Sequence, residues 1–264
     1  MNRIKSLFSR FAAEGRKAFV AYIVAGDPDL KSTVELAEAL SLSGVDLLEL
    51  GIPFSDPLAD GVVNQLASQR ALENGATMAG IFDAVAAIRE RTQIPIVFFT
   101  YYNPIFRYGL EAFLAKAREV GIDGVLILDL PPEEAGQIWN AYPDLCRISL
   151  IAPTTTDARI RHITAHSSGF IYYVSREGVT GMQQQVPANL SQRLQAIRSA
   201  TQLPVCVGFG VSTPDQARQV ASLAEGVVVG SAIVHKIGQH GKDPDLVPQV
   251  SAFVRELAQA VHPL

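Results

Sequence analysis

One unit recurs along this chain: a short β-branched run, a loop bearing glycine or proline, then a stretch with apolar residues at helical spacing. The strand-like runs are Phe19–Val24, Val45–Leu50, Ile96–Thr100, Gly124–Leu128, Arg147–Ile151, Phe170–Val174, Val205–Val207 and Val227–Val229. The helical stretches are Leu30–Ser41, Val63–Asn74 with Met78–Arg91, Leu110–Val120, Pro132–Asn140, Asp157–His166, Leu190–Ala200, Pro214–Ser222 and Leu246–Val261. Consecutive strand–helix units need parallel strands joined by right-handed crossovers. Eight of them in 264 residues predict an α/β fold, a (β/α)8 barrel. A doubly wound open sheet is the alternative, because strand count alone does not show closure. Upstream, Ile4, Leu7, Phe8 and Phe11 follow helical spacing and Gly15 ends the pattern as a C-cap would. This predicts an extra N-terminal helix covering one end of the barrel. No linker, low-complexity stretch or charge run divides the chain, so residues 1–264 are expected to form one domain.

Composition narrows the function. With 48% hydrophobic and 18% charged residues, the chain reads as a soluble globular protein with a large core. A formal net charge of -4 without a basic block argues against nucleic acid and acidic membranes as partners. Cys146 and Cys206 both lie in apolar strand-like runs, which favours free core thiols in a reducing compartment over a disulfide. His162 and His166 are four residues apart on a predicted helix, but no third ligand accompanies them; a solvated face is the favoured reading, and no metal or cofactor is expected. The N-terminus lacks the apolar core of a signal peptide, and no apolar run is long enough to span a bilayer, so a cytoplasmic location is expected.

The chemistry centres on Leu48-Glu49-Leu50-Gly51-Ile52-Pro53-Phe54-Ser55-Asp56-Pro57-Leu58-Ala59-Asp60-Gly61. Alternation puts Glu49 on a strand face with Val45 and Leu47, where an apolar residue belongs. Gly51, Pro53 and Pro57 then end the strand and stiffen a loop carrying Asp56 and Asp60. A carboxylate on the inner face of a buried strand costs several kcal/mol unless paired, hydrogen-bonded or protonated. Glu49 therefore reads either as a structural ion pair or as a functional acid, and Asp60 either as a helix cap or as its partner. Together they suggest an acid/base pair, Glu49 with a pKa raised by burial and Asp60 more exposed and ionised.

A second signal lies in the last two units. Gly208-Phe209-Gly210 and Gly230-Ser231-Ala232 follow adjacent strands. Glycines there let backbone N–H groups approach an anion, and Ser231 adds a hydroxyl where a short helix should begin. Loops after the seventh and eighth strands are the usual phosphate site of such barrels. The long loop after the sixth strand, Ser175 to about Ala188 with Gly178, Thr180 and Gly181, is placed to close over it. Tyr22, Tyr172 and Phe209 at carboxyl strand ends suit a planar apolar ligand.

The run LELGIPFSDPLADG resembles the signature of the tryptophan synthase α chains, the subunits that cleave indole-3-glycerol phosphate. The similarity extends nearly end to end, through Ala25-Gly26-Asp27-Pro28, Tyr101-Tyr102-Asn103-Pro104, Asp129-Leu130-Pro131, Ser175-Arg176-Glu177-Gly178-Val179-Thr180-Gly181 and both glycine pairs. The resemblance implies a TIM barrel and a lyase of tryptophan biosynthesis that works without a cofactor. It implies Glu49 as the acid/base and Asp60 as acceptor of the indole N–H. It implies Gly181, Phe209, Gly210, Gly230 and Ser231 around the phosphate, Thr180 on the lid, and Tyr22 and Tyr172 along the indole pocket. It further implies a β-subunit partner in an α2β2 complex. One departure stands out: where the family usually continues with Pro, a variable residue, Ile and Gln, this chain has Val62-Val63-Asn64-Gln65. That puts the shape of the partner-facing loop in question and leaves a stand-alone lyase, or a non-catalytic activating subunit, as alternatives. Other phosphate-binding barrel enzymes share the glycine pairs, but an indole-glycerol-phosphate synthase would want a Lys at an inner strand end, and these strands carry none.

Overall fold

The structure, a computed structural model, describes residues 2–135, 137–175, 189–208 and 210–262, with the backbone alone described at 137 and 138. The chain enters with α1 (Arg3–Glu14) and continues through β1 (Ala18–Val24), α2 (Leu30–Leu42), β2 (Leu47–Gly51), α3 (Val62–Glu73), α4 (Met78–Arg91), β3 (Ile96–Thr100), α5 (Tyr102–Tyr108) and α6 (Leu110–Glu119). Then come β4 (Gly124–Ile127), β5 (Cys146–Ile151), α7 (Asp157–Ala165), β6 (Ile171–Val174), α8 (Leu190–Ala200), β7 (Val205–Gly208), α9 (Pro214–Ala221), β8 (Gly226–Val229), α10 (Ser231–His240) and α11 (Leu246–Val261). Every strand pairs in parallel with its sequence neighbours, and β8 returns to β1 through Val20 opposite Val228, so the sheet closes. The open-sheet alternative is thereby excluded, and the fold is the (β/α)8 barrel.

Alternation sorts the side chains into two layers. Leu48, Leu50, Phe98, Ile151 and Val207 face outward into the layer beneath the helices, with Phe82, Val85 and Phe113. Val20, Leu47, Val97, Leu126, Ile148 and Val228 face inward, where they meet Ile4, Leu7, Phe8 and Phe11 of α1. That helix starts on Asn2, whose side chain accepts the Ile4 N–H at 2.9 Å, and stops at Gly15 with φ 68°. It plugs the amino end of the barrel, as its spacing predicted. Cys146 and Cys206 are free, buried thiols.

One predicted helix is corrected. Pro132–Asn140 forms only turns and a 3-10 segment over Gln137–Ala141. The sequence puts Gly136 in mid-stretch, where a helix would lose about 1 kcal/mol against Ala, and so short a stretch has little to offset that. Tyr102–Tyr108, in contrast, is helical, a short element absent from the sequence reading.

The amino end is also stapled by a device repeated at every second strand. Asp46, Asp123, Ser168 and Glu225 each precede an even-numbered strand. Their side chains accept the N–H of Phe19, Ile96, Arg147 and Val205, which lie on the strands immediately before, at 2.8–3.0 Å. Each returns its own N–H to the same residue's carbonyl at 2.9–3.1 Å. Of the four, Asp123 also holds Arg89 at 2.8 Å and Arg3 at 3.1 Å. Burial pushes the Arg89 guanidinium down to about 10, partly offset by Asp123. Removing one partner of a buried pair strands the other charge. Asp123→Ala should therefore cost about 3–5 kcal/mol, read as a lowered midpoint in urea unfolding. A loss below about 1 kcal/mol, typical of exposed pairs, would show that the staple contributes little.

Candidate active site

Strand register assembles the site. Tyr22 lies opposite Glu49, and Glu49 opposite Val97, so three neighbouring strands present one interior level near their carboxyl ends. Gly51 makes room there: a Cβ at that position would overlap the Tyr22 hydroxyl. Gly208 does the same for Tyr172, so its missing Cβ serves the tyrosine rather than an anion, which corrects the sequence reading of that glycine. Phe99, inward-facing by the same alternation as Val97, packs edge-on to Tyr22 at 5.1 Å and lies 6.3 Å from Tyr172.

Glu49 is fully buried, and neither carboxyl oxygen has a hydrogen-bond partner. The ion-pair reading is excluded among the described residues. Desolvation alone pushes its pKa up to about 8. Glu49 lies close enough to Tyr22 and Tyr172 for its charge to raise both phenols further, beyond the shift that burial imposes.

Asp60 corrects the expectation of exposure: it is buried. Tyr101 Oη donates to its Oδ2 at 2.8 Å, and Asn64 Nδ2 to its Oδ1 at 3.3 Å. Ala59 N–H donates to the same Tyr101 hydroxyl at 3.0 Å, so the loop before α3 folds over that ring. Burial raises the Asp60 pKa, while the Tyr101 and Asn64 donors pull it back. Asp60 does not cap α3; Gly61 occupies that position. The helix is instead anchored by Arg70, whose two nitrogens reach the Asp27 carboxylate at 2.7 and 2.8 Å.

A cavity of about 390 Å3 opens at this end, lined by Tyr22, Asp60, Tyr172, Gly210, Gly230 and Ser231 with Asn64, Phe99, Leu128, Leu150 and Val174. Six predicted residues thus share one wall. The cavity has an apolar end suited to a planar ring and a second end at the amino terminus of α10. There Gly230 caps the helix without a side-chain bond, and Gly210 adopts φ 85°. No Lys or Arg lines it among the described residues, so an anion would rest on backbone N–H groups, the Ser231 hydroxyl and the helix dipole. Thr180, Gly181 and Phe209 lie outside the described residues. Tyr101, Asn64 and Phe99 were missed as site residues. Strand alternation could have found Phe99; nothing in the spacing links Tyr101 or Asn64 to Asp60. His162 and His166 sit on the exposed face of α7, their rings 4.8 Å apart, with His162 3.4 Å from Glu133.

Comparison with known proteins identifies the architecture. The sequence profile of the family described as tryptophan synthase alpha chain matches residues 8–262. The chain belongs to the tryptophan synthase alpha chain family. It is 51% identical over 260 residues to the tryptophan synthase alpha chain of Opitutus terrae, covering 96% of each chain. It is 50% identical to that of Geobacter sulfurreducens, covering 99% of each. Among solved structures, the tryptophan synthase subunit alpha of Legionella pneumophila superposes with a TM-score of 0.91 at 37% identity, covering 99% of this chain and 98% of that one. A tryptophan synthase structure from Mycobacterium tuberculosis gives 0.89 at 36% identity, covering 98% of each.

The unpaired acid of this alpha chain has a consequence for stability. A folded pKa raised above the ordinary 4.5 means that the native state holds a proton which the unfolded chain releases. Stability is then fully present below about 4.5 and is lost as pH rises toward 8. Glu49→Gln removes this dependence. Urea unfolding of both proteins between about pH 5 and pH 8 should show the wild type losing up to about 1.4 kcal/mol per pH unit relative to the variant. Parallel curves would place the Glu49 pKa near its ordinary value.

Proposed function

We infer that this chain cleaves indole-3-glycerol phosphate to indole and glyceraldehyde 3-phosphate by a retro-aldol reaction in tryptophan biosynthesis. Family membership over nearly the whole chain supports the reaction. The observation that carries the assignment of roles is the unpaired, fully buried Glu49 beside a cavity that also holds Asp60.

Cleavage needs a proton on indole C3, removal of the proton from the hydroxyl next to the ring, and stabilisation of positive charge at the ring nitrogen. Glu49, protonated at neutral pH, gives its proton to C3. The resulting carboxylate takes the hydroxyl proton, the bond from C3 to the carbinol carbon breaks, and Glu49 ends protonated again. Glu49 is not on the cavity wall, so a rotamer change must bring it to the substrate; with no hydrogen bond to either oxygen, none has to break. Asp60 accepts the indole N–H and favours the cationic ring. Tyr22, Phe99 and Tyr172 flank the ring, while Gly210, Gly230 and Ser231 hold the phosphate; the family resemblance adds Gly181 and Phe209 to the phosphate contacts and Thr180 to the lid. Binding of the non-reacting phosphate thereby orients the reacting carbon. No cofactor enters this scheme, and the reaction is placed in the cytoplasm.

Glu49→Gln keeps the shape and removes both proton transfers, so kcat should fall by at least about 10²-fold with KM little changed. In the wild type, kcat/KM should drop as pH rises through about 8, where free Glu49 loses the proton it must donate. Retention of more than about a tenth of the rate in Glu49→Gln would overturn the role of Glu49.

The partner is a tryptophan synthase β subunit, in an α2β2 complex. Support comes from the rim, where Leu58, Val62 and Phe106 are 86%, 65% and 67% exposed. Pro53 and Ile105 nearby are buried and add nothing to that surface. Titrating a β subunit from the same source should raise the cleavage rate and form a complex in sedimentation. A high rate that does not respond, with no complex, would identify a stand-alone lyase.

A further inference from the structure

Asn64 is the third residue of α3 and is buried beside Asp60. Its Nδ2 donates to Asp60 Oδ1 at 3.3 Å, while its own Oδ1 is buried with no hydrogen-bond partner. Its neighbour Gln65 donates to the Asp60 backbone carbonyl at 2.7 Å, so the first turn of the helix reaches back to this one residue twice. From the other side, Tyr101 Oη donates to Oδ2. Each Asp60 oxygen therefore has one fixed donor, and the carboxylate plane is set.

A half-satisfied buried amide lowers stability, since an unpaired polar group costs about 1–3 kcal/mol. An apolar side chain of similar size would remove that penalty but leave Asp60 Oδ1 without its donor. Asn64 therefore brings little net gain to folding, and its donor goes to Asp60. Resting on the reaction assigned above, we propose that Asn64 is a positioning residue for the cleavage: with Tyr101 it clamps the Asp60 carboxylate in the orientation that meets the indole N–H.

The groups facing Asp60 allow this to be read from pH dependence. Tyr101 faces it from the segment after β3, Tyr22 from β1 and Tyr172 from β6, all with phenol pKa values raised by burial and by Asp60. Glu49 on β2 titrates near 8, well above the acid limb. No Lys or Arg lines the cavity among the described residues. The acid limb of kcat/KM therefore reports Asp60, and loss of a donor moves it to higher pH.

The test compares the full chain with Asn64→Leu and Asn64→Asp, following indole release across pH and titrating the 13C-labelled Asp60 carboxyl by NMR. Asn64→Leu trades an unpaired amide oxygen for an unpaired carboxylate oxygen and should melt close to the wild type, lose roughly ten-fold in kcat/KM, and show the acid limb and the Asp60 titration displaced upward together. Asn64→Asp, similar in shape but acidic, should displace both further, because a second carboxylate replaces a donor. An Asp60 titration and acid limb unmoved in both variants would overturn the role, as would an activity loss that merely tracks a fall in melting temperature. No indole from the wild type would instead overturn the assigned reaction, and the role of Asn64 with it.

Discussion

A carboxyl group with no partner, sealed inside a barrel of hydrocarbon, is the constraint to which this structure answers. Glu49 sits at a level otherwise filled by Tyr22, Val97 and Tyr172, and its two oxygens meet no donor. Such a group survives burial by keeping its proton. The environment needed for that is a continuous apolar wall, which only closure of β8 onto β1 supplies. The same environment makes the group a neutral acid near pH 7. Folding cost and chemical usefulness are therefore two descriptions of one desolvation.

The staples at the amino end and the cavity at the carboxyl end treat charge differently. At the amino end, Asp46, Asp123 and Glu225 are each satisfied by a strand N–H and by a cation or imidazole: His262 at 2.7 Å, Arg89 at 2.8 Å and Arg198 at 2.7 Å. Among the described residues, Glu49 has no donor and Asp60 has only neutral ones, while Asp27, away from the cavity, is paired with Arg70 at 2.7 Å. Neutral donors orient a carboxylate without cancelling its charge, which leaves it free to stabilise a cation that forms later.

The sequence made the architecture legible because its signals are local. Eight strand runs, the spacing of Ile4, Leu7, Phe8 and Phe11, and a Glu at an apolar position all depend on near neighbours. What escaped depended on closure. The staples join Asp123 to Ile96 and Glu225 to Val205 across whole strand–helix units, so a polar residue before a strand carries no sign of its partner. Asp60 was expected to be exposed because loops usually are; its burial follows from Tyr101, which comes from another strand and turns the loop inward. The helix expected over Pro132–Asn140 failed for a local reason, a helix-poor Gly136 within a short stretch, that periodicity alone outweighed. Gly208 was read for an anion when its space belongs to Tyr172, a contact that only the strand register reveals.

Glu49 and Asp60 show how two neighbouring carboxyl groups are set apart by their surroundings. Desolvation acts on both in the same direction. For Glu49 nothing opposes it, and the proton stays. For Asp60 the Tyr101 and Asn64 donors oppose it, and the balance moves back toward the anion. The difference lies largely in hydrogen bonds, and those bonds come from outside β2, the strand that carries Glu49. One stretch of sequence supplies both carboxyl groups, while the segment after β3 and the first turn of α3 supply the donors that only Asp60 receives. A cavity that kept both carboxyls but lost those two donors would still offer a flat ring its apolar end, yet desolvation would then act on Asp60 unopposed, as it does on Glu49, and favour the neutral acid over the anion.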